Sequence, residues 1–277
     1  MSFRECTVKV KTIAVLFMAA VFLQGCAGEI PVTRTVRFAV FGNTAPPSPF
    51  SGFTESLDTV IEEIESEKPA IVIHTGNAVY GGSDEEGIYE NDVRRQCRIF
   101  FSSMRNFHSA CYTIPGEKDL FNGSSEIYRE YSGRGASFSF NYGSIHFTVV
   151  DTSGTEESFA ESRQMDWLRK DLEGCRKSST VFIIMNRPFN KGRRSRTLPV
   201  PDELHNEFMK YNVKYVISGE GKRYSLSVFD SIKYISAGCA GYIDMKENRR
   251  TSQYYLFTYA NGELDVRPVR VDLRKRG

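Results

Sequence analysis

Five times along the chain an apolar run of strand composition ends in polar residues set beside a glycine or proline. These ends are Phe41-Gly42-Asn43-Thr44-Ala45, Thr75-Gly76-Asn77, Pro115-Gly116-Glu117-Lys118-Asp119, Met185-Asn186-Arg187-Pro188 and Ser218-Gly219-Glu220-Gly221-Lys222. Strand ends of this kind are where an α/β fold assembles a site, since rigid strands there hand over to loops that can carry chemistry. Between them the helical period takes over: Leu57, Val60, Ile61 and Ile64 recur at i, i+3, i+4, i+7, one stripe of an amphipathic helix. Val93, Cys97, Phe100 and Phe101 mark a second helix, and residues 165–172 and 204–209 two more. Hairpins dominate later. Residues 138–142 and 145–150 turn at Gly143-Ser144, strands follow over 224–228 and 234–236, and 254–258 with 264–269 turn at Asn261-Gly262, a strong type I′ signal. This order predicts mixed sheets covered by helices. At 277 residues, 40% hydrophobic and 25% charged, the chain suits one large domain.

Residues 1–25 differ in kind. Basic Arg4, Lys9 and Lys11 precede an apolar run that ends in Leu23-Gln24-Gly25-Cys26. The run is shorter than the ~20 residues that cross a bilayer, so it reads as an export signal. Its end resembles a bacterial lipobox, which implies that Cys26 is the lipidated first residue of the mature chain; an ordinary secretory signal would leave Cys26 incidental. The implied division is a signal peptide at 1–25, a tether at 26–34 and a folded domain at 35–277. Ala27 after the cysteine favours an outer-membrane address in a diderm bacterium. Cys97, Cys111, Cys175 and Cys239 remain, with no zinc-knuckle or C-x-x-C spacing, and are open to either disulfides or buried free thiols. A net charge of +2 does not point to nucleic acid, although Arg267, Arg270, Arg274, Lys275 and Arg276 make a basic end.

In order and spacing the five strand ends resemble the calcineurin-like metallophosphoesterases, especially their purple-acid-phosphatase-like branch. That family shows G-D-x-H, G-D, G-N-H-D, H-R-P and G-H-x-H at these places. The likeness extends to the hairpin around Phe138-Ser139-Phe140-Asn141-Tyr142-Gly143, to Gln164 with Trp167-Leu168 and Leu172, and to Ile232-Lys233-Tyr234-Ile235-Ser236, and so covers nearly all of the exported domain. It implies a four-layer αββα sandwich of two mixed β-sheets flanked by helices.

The chemistry departs from the family position by position. The family's first-metal ligands fall on Asn43, Ala45, Asn77 and Lys222, and its second-metal ligands on Asn77, Glu117, Asn186 and Glu220. The leaving-group acid falls on Lys118, next to Asp119. Ala45 has no donor atom, Asn77 lacks a bridging charge and Lys222 is itself a cation. Without two cations the bridging nucleophile of this family is not made. His74, His108, His146 and His205 have the local settings of structural histidines, and there is neither a nucleophile elbow nor a P-loop.

No cofactor and no catalytic residue are therefore expected, and the reading is a binding or scaffolding lipoprotein of the cell envelope. In its site, Lys118 and Lys222 would supply the missing positive charge to Glu117, Asp119 and Glu220. The alternative is a phosphoric ester hydrolase with one hard cation, calcium or magnesium, on the oxygens of Asn77, Glu117, Asn186 and Glu220. Lys191, Arg193, Arg194 and Arg196 make a basic run that is ordinarily a solvated loop; its functional alternative is recognition of an anionic lipid or glycan. The membrane, through the N-terminal lipid, and an envelope protein, glycan or anionic lipid are the expected partners.

Overall fold

Three of the strands are apolar on both faces because each serves two cores. In β1 (Val36–Phe41), Phe38 and Val40 face one cluster while Ala39 and Phe41 face another. The same alternation splits β2 (Ile71–His74), where Ile71 and Ile73 oppose Val72. It recurs in β6 (Thr180–Met185), where Phe182 and Ile184 oppose Val181, Ile183 and Met185. Strands buried on both sides lose the apolar/polar alternation that half-buried strands keep.

The computed structural model describes residues 35–53, 56–135, 137–153, 163–175, 179–187, 200–219, 224–237 and 251–272. These described residues belong to one compact unit. Cys26 and Cys239 lie outside the described residues, while Cys97, Cys111 and Cys175 are free thiols. No helix among the described residues is long and apolar enough to cross a membrane.

The remaining strands are β3 (Ala110–Thr113), β4 (Phe138–Tyr142), β5 (Ile145–Val150), β7 (Val213–Ser218), β8 (Ser225–Phe229), β9 (Ile232–Ser236), β10 (Thr251–Ala260) and β11 (Glu263–Asp272). Two mixed sheets result, a five-stranded one in the order β11-β10-β1-β2-β3 and a six-stranded one in the order β4-β5-β6-β7-β9-β8. Helices α1 (Ser56–Ser66), α2 (Glu90–Met104) and α3 (Glu126–Ser132) cover the first sheet. The second is covered by α4 (Arg163–Gly174) and α5 (Asp202–Lys210). The stripe expected on α1 is realised, with Leu57, Val60, Ile61 and Ile64 all buried. Asn261 and Gly262 both have positive φ, as a type I′ hairpin turn requires. Helix α3 is an addition to the sequence reading. It is under two turns long and buries only Ile127 and Tyr128, too few positions for a period to register.

The central layer is aromatic. Phe38 stacks on Phe257 at 4.9 Å and meets Phe147 and Phe182 edge-on at 5.4 and 5.8 Å. These rings join β1 and β10 of one sheet to β5 and β6 of the other, and so set the spacing of the strand ends that carry the site. Phe38→Ala is expected to cost about 3–5 kcal/mol of unfolding free energy, while Tyr142→Ala at a largely exposed position should stay within about 0.5 kcal/mol, both read from urea midpoints.

Candidate functional site

The parallel strands β1, β2, β6 and β7 all end at the same edge of the sandwich, so the loops that begin at Gly42, Gly76, Asn186 and Gly219 converge. The loop after β3, which pairs in parallel with β2, joins them. Close approach is built into the backbone. A Cβ on Gly219 would lie 1.9 Å from Oγ1 of Thr75, and one on Gly116 would lie 2.4 Å from Oδ1 of Asn77. Only glycine fits at these two crossings. Asn43 and Asn77 both have φ of 56°, the left-handed region that asparagine tolerates better than most side chains.

The amides form a continuous chain. Asn77 Nδ2 donates to Asn43 Oδ1 at 2.7 Å, Asn43 Nδ2 donates to the Gly219 carbonyl at 3.2 Å, and Asn77 Oδ1 accepts the Lys118 backbone N–H at 3.0 Å. Asn186, almost wholly buried, donates through Nδ2 to the Thr75 carbonyl at 2.6 Å. Two side-chain amides thus tie the end of one sheet to the end of the other. Ala45 contributes only its backbone N–H, donated to the Asn77 carbonyl at 2.9 Å.

Asp119 holds the next loop in place. It is 1% exposed and accepts backbone N–H bonds from Asn77, Ala78, Val79 and Gly116 at 2.7–2.8 Å. Its carboxylate is therefore committed to four amides of two loops rather than directed to the cleft. Burial pushes its pKa up from 3.8 to about 7, and the four N–H donors act against that shift. Beneath the same loops His74 is fully buried. Gly76 N–H donates to its Nδ1 at 3.2 Å, which leaves Nε2–H to donate to Thr44 Oγ1 at 2.9 Å. Desolvation lowers its pKa from 6.5 to about 3, so it is neutral.

The charge arrangement differs from the expected one. The counter-ion of Glu117 is Arg187, with a guanidinium-to-carboxylate distance of 2.6 Å, and not Lys118. Arg187 is steered there by Thr152, which receives its backbone N–H on Oγ1 at 3.1 Å and its Nε–H on the carbonyl at 3.3 Å. Lys118 instead lies over the Tyr80 ring at 5.9 Å, because the 3-10 turn Glu117–Asp119 rotates successive side chains apart. Arg187 was visible in the sequence only as the middle of Asn186-Arg187-Pro188, and its partner is 70 residues away. Glu220, Lys222, Lys191, Arg193, Arg194 and Arg196 lie outside the described residues.

The described donors do not fit a two-metal centre. Among the described residues there is no group of three or more His, Cys, Asp or Glu side chains that could hold a metal ion. The oxygens of Asn43 and Asn77 already accept protein N–H bonds, and Glu117 carries a guanidinium. His146 and His205 lie away from these loops, buried and bonded to Asp171 and Asp230 at 3.0 and 2.9 Å.

A convergence of glycine-flanked strand ends on a two-sheet sandwich is the frame of a phosphoesterase, and residues 37–219 match the family model for the calcineurin-like phosphoesterases. The chain belongs to that family. A dimetal phosphatase from Danio rerio is similar in fold, with a TM-score of 0.61 at 10% identity over 85% of this chain and 99% of that one. The purple acid phosphatase PPD1 of yellow lupin (Lupinus luteus) seeds gives 0.58 at 12% identity over 85% of this chain. This chain spans about half, 52%, of the lupin enzyme. GAP50, the anchor in the inner membrane complex of Plasmodium, gives 0.52 at 13% identity over 87% of this chain and 90% of that one. No curated protein matches the sequence.

Two outcomes follow from the buried ionisable groups. At pH above 7, where Asp119 is ionised, Asp119→Asn should cost about 2–4 kcal/mol in urea unfolding, since a side-chain NH2 then faces backbone N–H donors. His74 works in the opposite pH sense to Asp119. Below 6.5 the unfolded chain takes up a proton that folded His74 refuses until about 3, so its contribution is present above 6.5 and is lost on acidification. The Asp119 contribution is present below 3.8 and is lost as pH rises towards 7. The unfolding free energy of His74→Leu relative to the parent chain should therefore rise as pH falls from about 6 to about 4, read from urea unfolding of both chains at each pH.

Proposed function

We propose that the protein is a lipid-anchored envelope protein that uses a calcineurin-like phosphoesterase frame for binding or scaffolding and does not hydrolyse phosphate esters. The observation that carries this reading is the set of bonds already made at three of the family's metal positions, Asn43, Asn77 and Glu117. The amides of Asn43 and Asn77 satisfy each other and the loop backbone, and Arg187 neutralises Glu117. A phosphoesterase of this family needs unpaired anionic donors at those places to gather two cations and acidify a water. GAP50 of Plasmodium, an anchor by description, is a precedent for this fold in an anchoring role.

Cys26 would carry the lipid, and β1 begins at Val36, which pairs with Tyr259 beside the Asn261-Gly262 turn. Asn43 lies beyond the other end of β1, about 20 Å away along the strand. An envelope protein, a glycan or an anionic lipid is the proposed partner of the site. The basic residues Lys191, Arg193, Arg194 and Arg196 follow the fourth strand end in sequence and would give such a partner an anionic character.

One observation favours a second reading, a phosphoesterase with a single hard cation. The buried Asn186 side-chain oxygen meets no donor among the described residues, and an amide oxygen is a ligand for calcium or magnesium. Against it, Glu117 would first have to release Arg187. Metal analysis of the purified full chain, calorimetry with calcium and magnesium, and turnover of a generic aryl phosphate separate the two. The expected result is no stoichiometric metal, no binding heat and no turnover above a heat-denatured control. Two bound transition metals, or hydrolysis that depends on added cation, would overturn the proposal.

A further inference from the structure

Away from the cleft, β8 is an edge strand whose exposed face is apolar. Leu226 and Val228 are 50% and 56% exposed, and Tyr224 just before them is 41% exposed. They share one side of the strand at a spacing of two, while Ser225, Ser227 and Phe229 take the other. The strand, Ser225-Leu226-Ser227-Val228-Phe229, contains no charge and no proline, the usual guards of a free edge. Two of the other three edges differ. β11 carries Arg267, Pro268 and Arg270, and the apolar residues of β4 are covered, with Phe140 stacked on Tyr112 at 3.7 Å.

The edge is also held rigid. Its turn has positive φ at Asp230 and Ser231, and His205 fastens Asp230 at 2.9 Å while bonding Tyr234 of β9 at 2.7 Å. At the other end Tyr224 stacks on Tyr255 of the facing sheet at 5.8 Å. A strand fixed at both ends, with unguarded backbone and two exposed aliphatic side chains between, is preorganised to receive another strand.

We infer that β8 pairs with β8 of a second copy of this chain, antiparallel about a two-fold axis at Ser227, which makes the six-stranded sheet continuous across a dimer. The sequence of the strand selects this register. With Ser227 opposite itself, Leu226 of each copy lies directly opposite Val228 of the other, so both exposed aliphatics gain an apolar cross-strand partner. Moving the axis to Val228 sets Leu226 against Asp230, and moving it to Leu226 sets Val228 against Tyr224, whose ring is already stacked on Tyr255 of the facing sheet. A two-fold contact of this kind is self-complementary and closes at two subunits. A five-residue strand pair is a small interface, and confinement to a membrane plane would raise its effective concentration. The inference does not depend on what the cleft binds.

Disulfide capture in the intact full-length protein tests it. Ser227→Cys places two thiols directly opposite across the axis, within reach of a disulfide, whereas Ser225→Cys leaves them several residues apart. Under mild oxidant Ser227→Cys is expected to be trapped as a dimer and Ser225→Cys and the parent chain are not. Adding Leu226→Lys to Ser227→Cys should lower capture by about tenfold with an unchanged melting curve, since it breaks both apolar pairs. Equal capture of Ser225→Cys and Ser227→Cys would overturn the register. A Ser227→Cys chain that labels with maleimide but is not captured would overturn the dimer. An introduced thiol that is closed to maleimide in the Ser227→Cys chain, or trapped onto a different protein, would also overturn it, by showing that something else covers the edge.

Discussion

A carboxylate with four backbone N–H donors around it is what keeps the strand ends of this molecule together. Asp119 receives Asn77, Ala78 and Val79 from the loop after β2 and Gly116 from its own loop after β3. Those loops leave parallel neighbours of one sheet, and past the strand ends Asp119 adds to the backbone bonds from Gly81 and Gly82 to Lys118 and Leu120 and to the isolated Gly82–Phe121 bridge. A buried acceptor with two oxygens can satisfy several otherwise orphaned N–H groups at once, and those groups offset part of the desolvation of its charge. The placement of Asn77, and through it the amide chain to Asn43 and Gly219, follows from this fixed geometry.

At the described positions of the site the polar groups are partnered by the protein itself. Where the family places ligands that need cations to cancel their mutual repulsion, this chain places neutral amides that satisfy one another and an ion pair, Arg187 with Glu117. Glu117 is largely exposed and Arg187 mostly buried, so the pair is screened on one side and worth less than a fully desolvated one. Its consequence is local: it turns the Glu117 carboxylate towards an arginine and away from the role of an open anionic donor. The glycines persist for a steric reason independent of metal. Thr75 and the Asn186 amide occupy the space that a Cβ on Gly219, Gly76 or Gly116 would need.

Most of the architecture was legible in the chain. Apolar runs ending beside glycine or proline located β1, β2, β6 and β7 at their ends, and the stripe from Leu57 to Ile64 located α1, because strand and helix periods are local properties. The left-handed positions were marked too, since asparagine after glycine at the ends of β1 and β2 is a residue suited to φ near 56°. α3 escaped because a helix under two turns carries too few periodic positions. The site was legible as a set of substituted positions and not as a network. Lys118 sits beside Glu117 in sequence and looked like its counter-ion, yet Arg187, 70 residues on, holds that place.

What the sequence determined by itself is the frame: the order of strands and helices, the five converging strand ends, and the replacement of ligand types by amides and lysine. Tertiary structure alone decided which polar atoms meet. Whether Asp119 faces the cleft or the backbone, which cation reaches Glu117, and that Leu226 and Val228 end up uncovered on an edge strand all depend on how distant segments pack. Secondary structure is specified by residue periods over a few positions. Ion pairs, hydrogen-bond partners and exposed edges are specified by distances between segments that no local pattern contains.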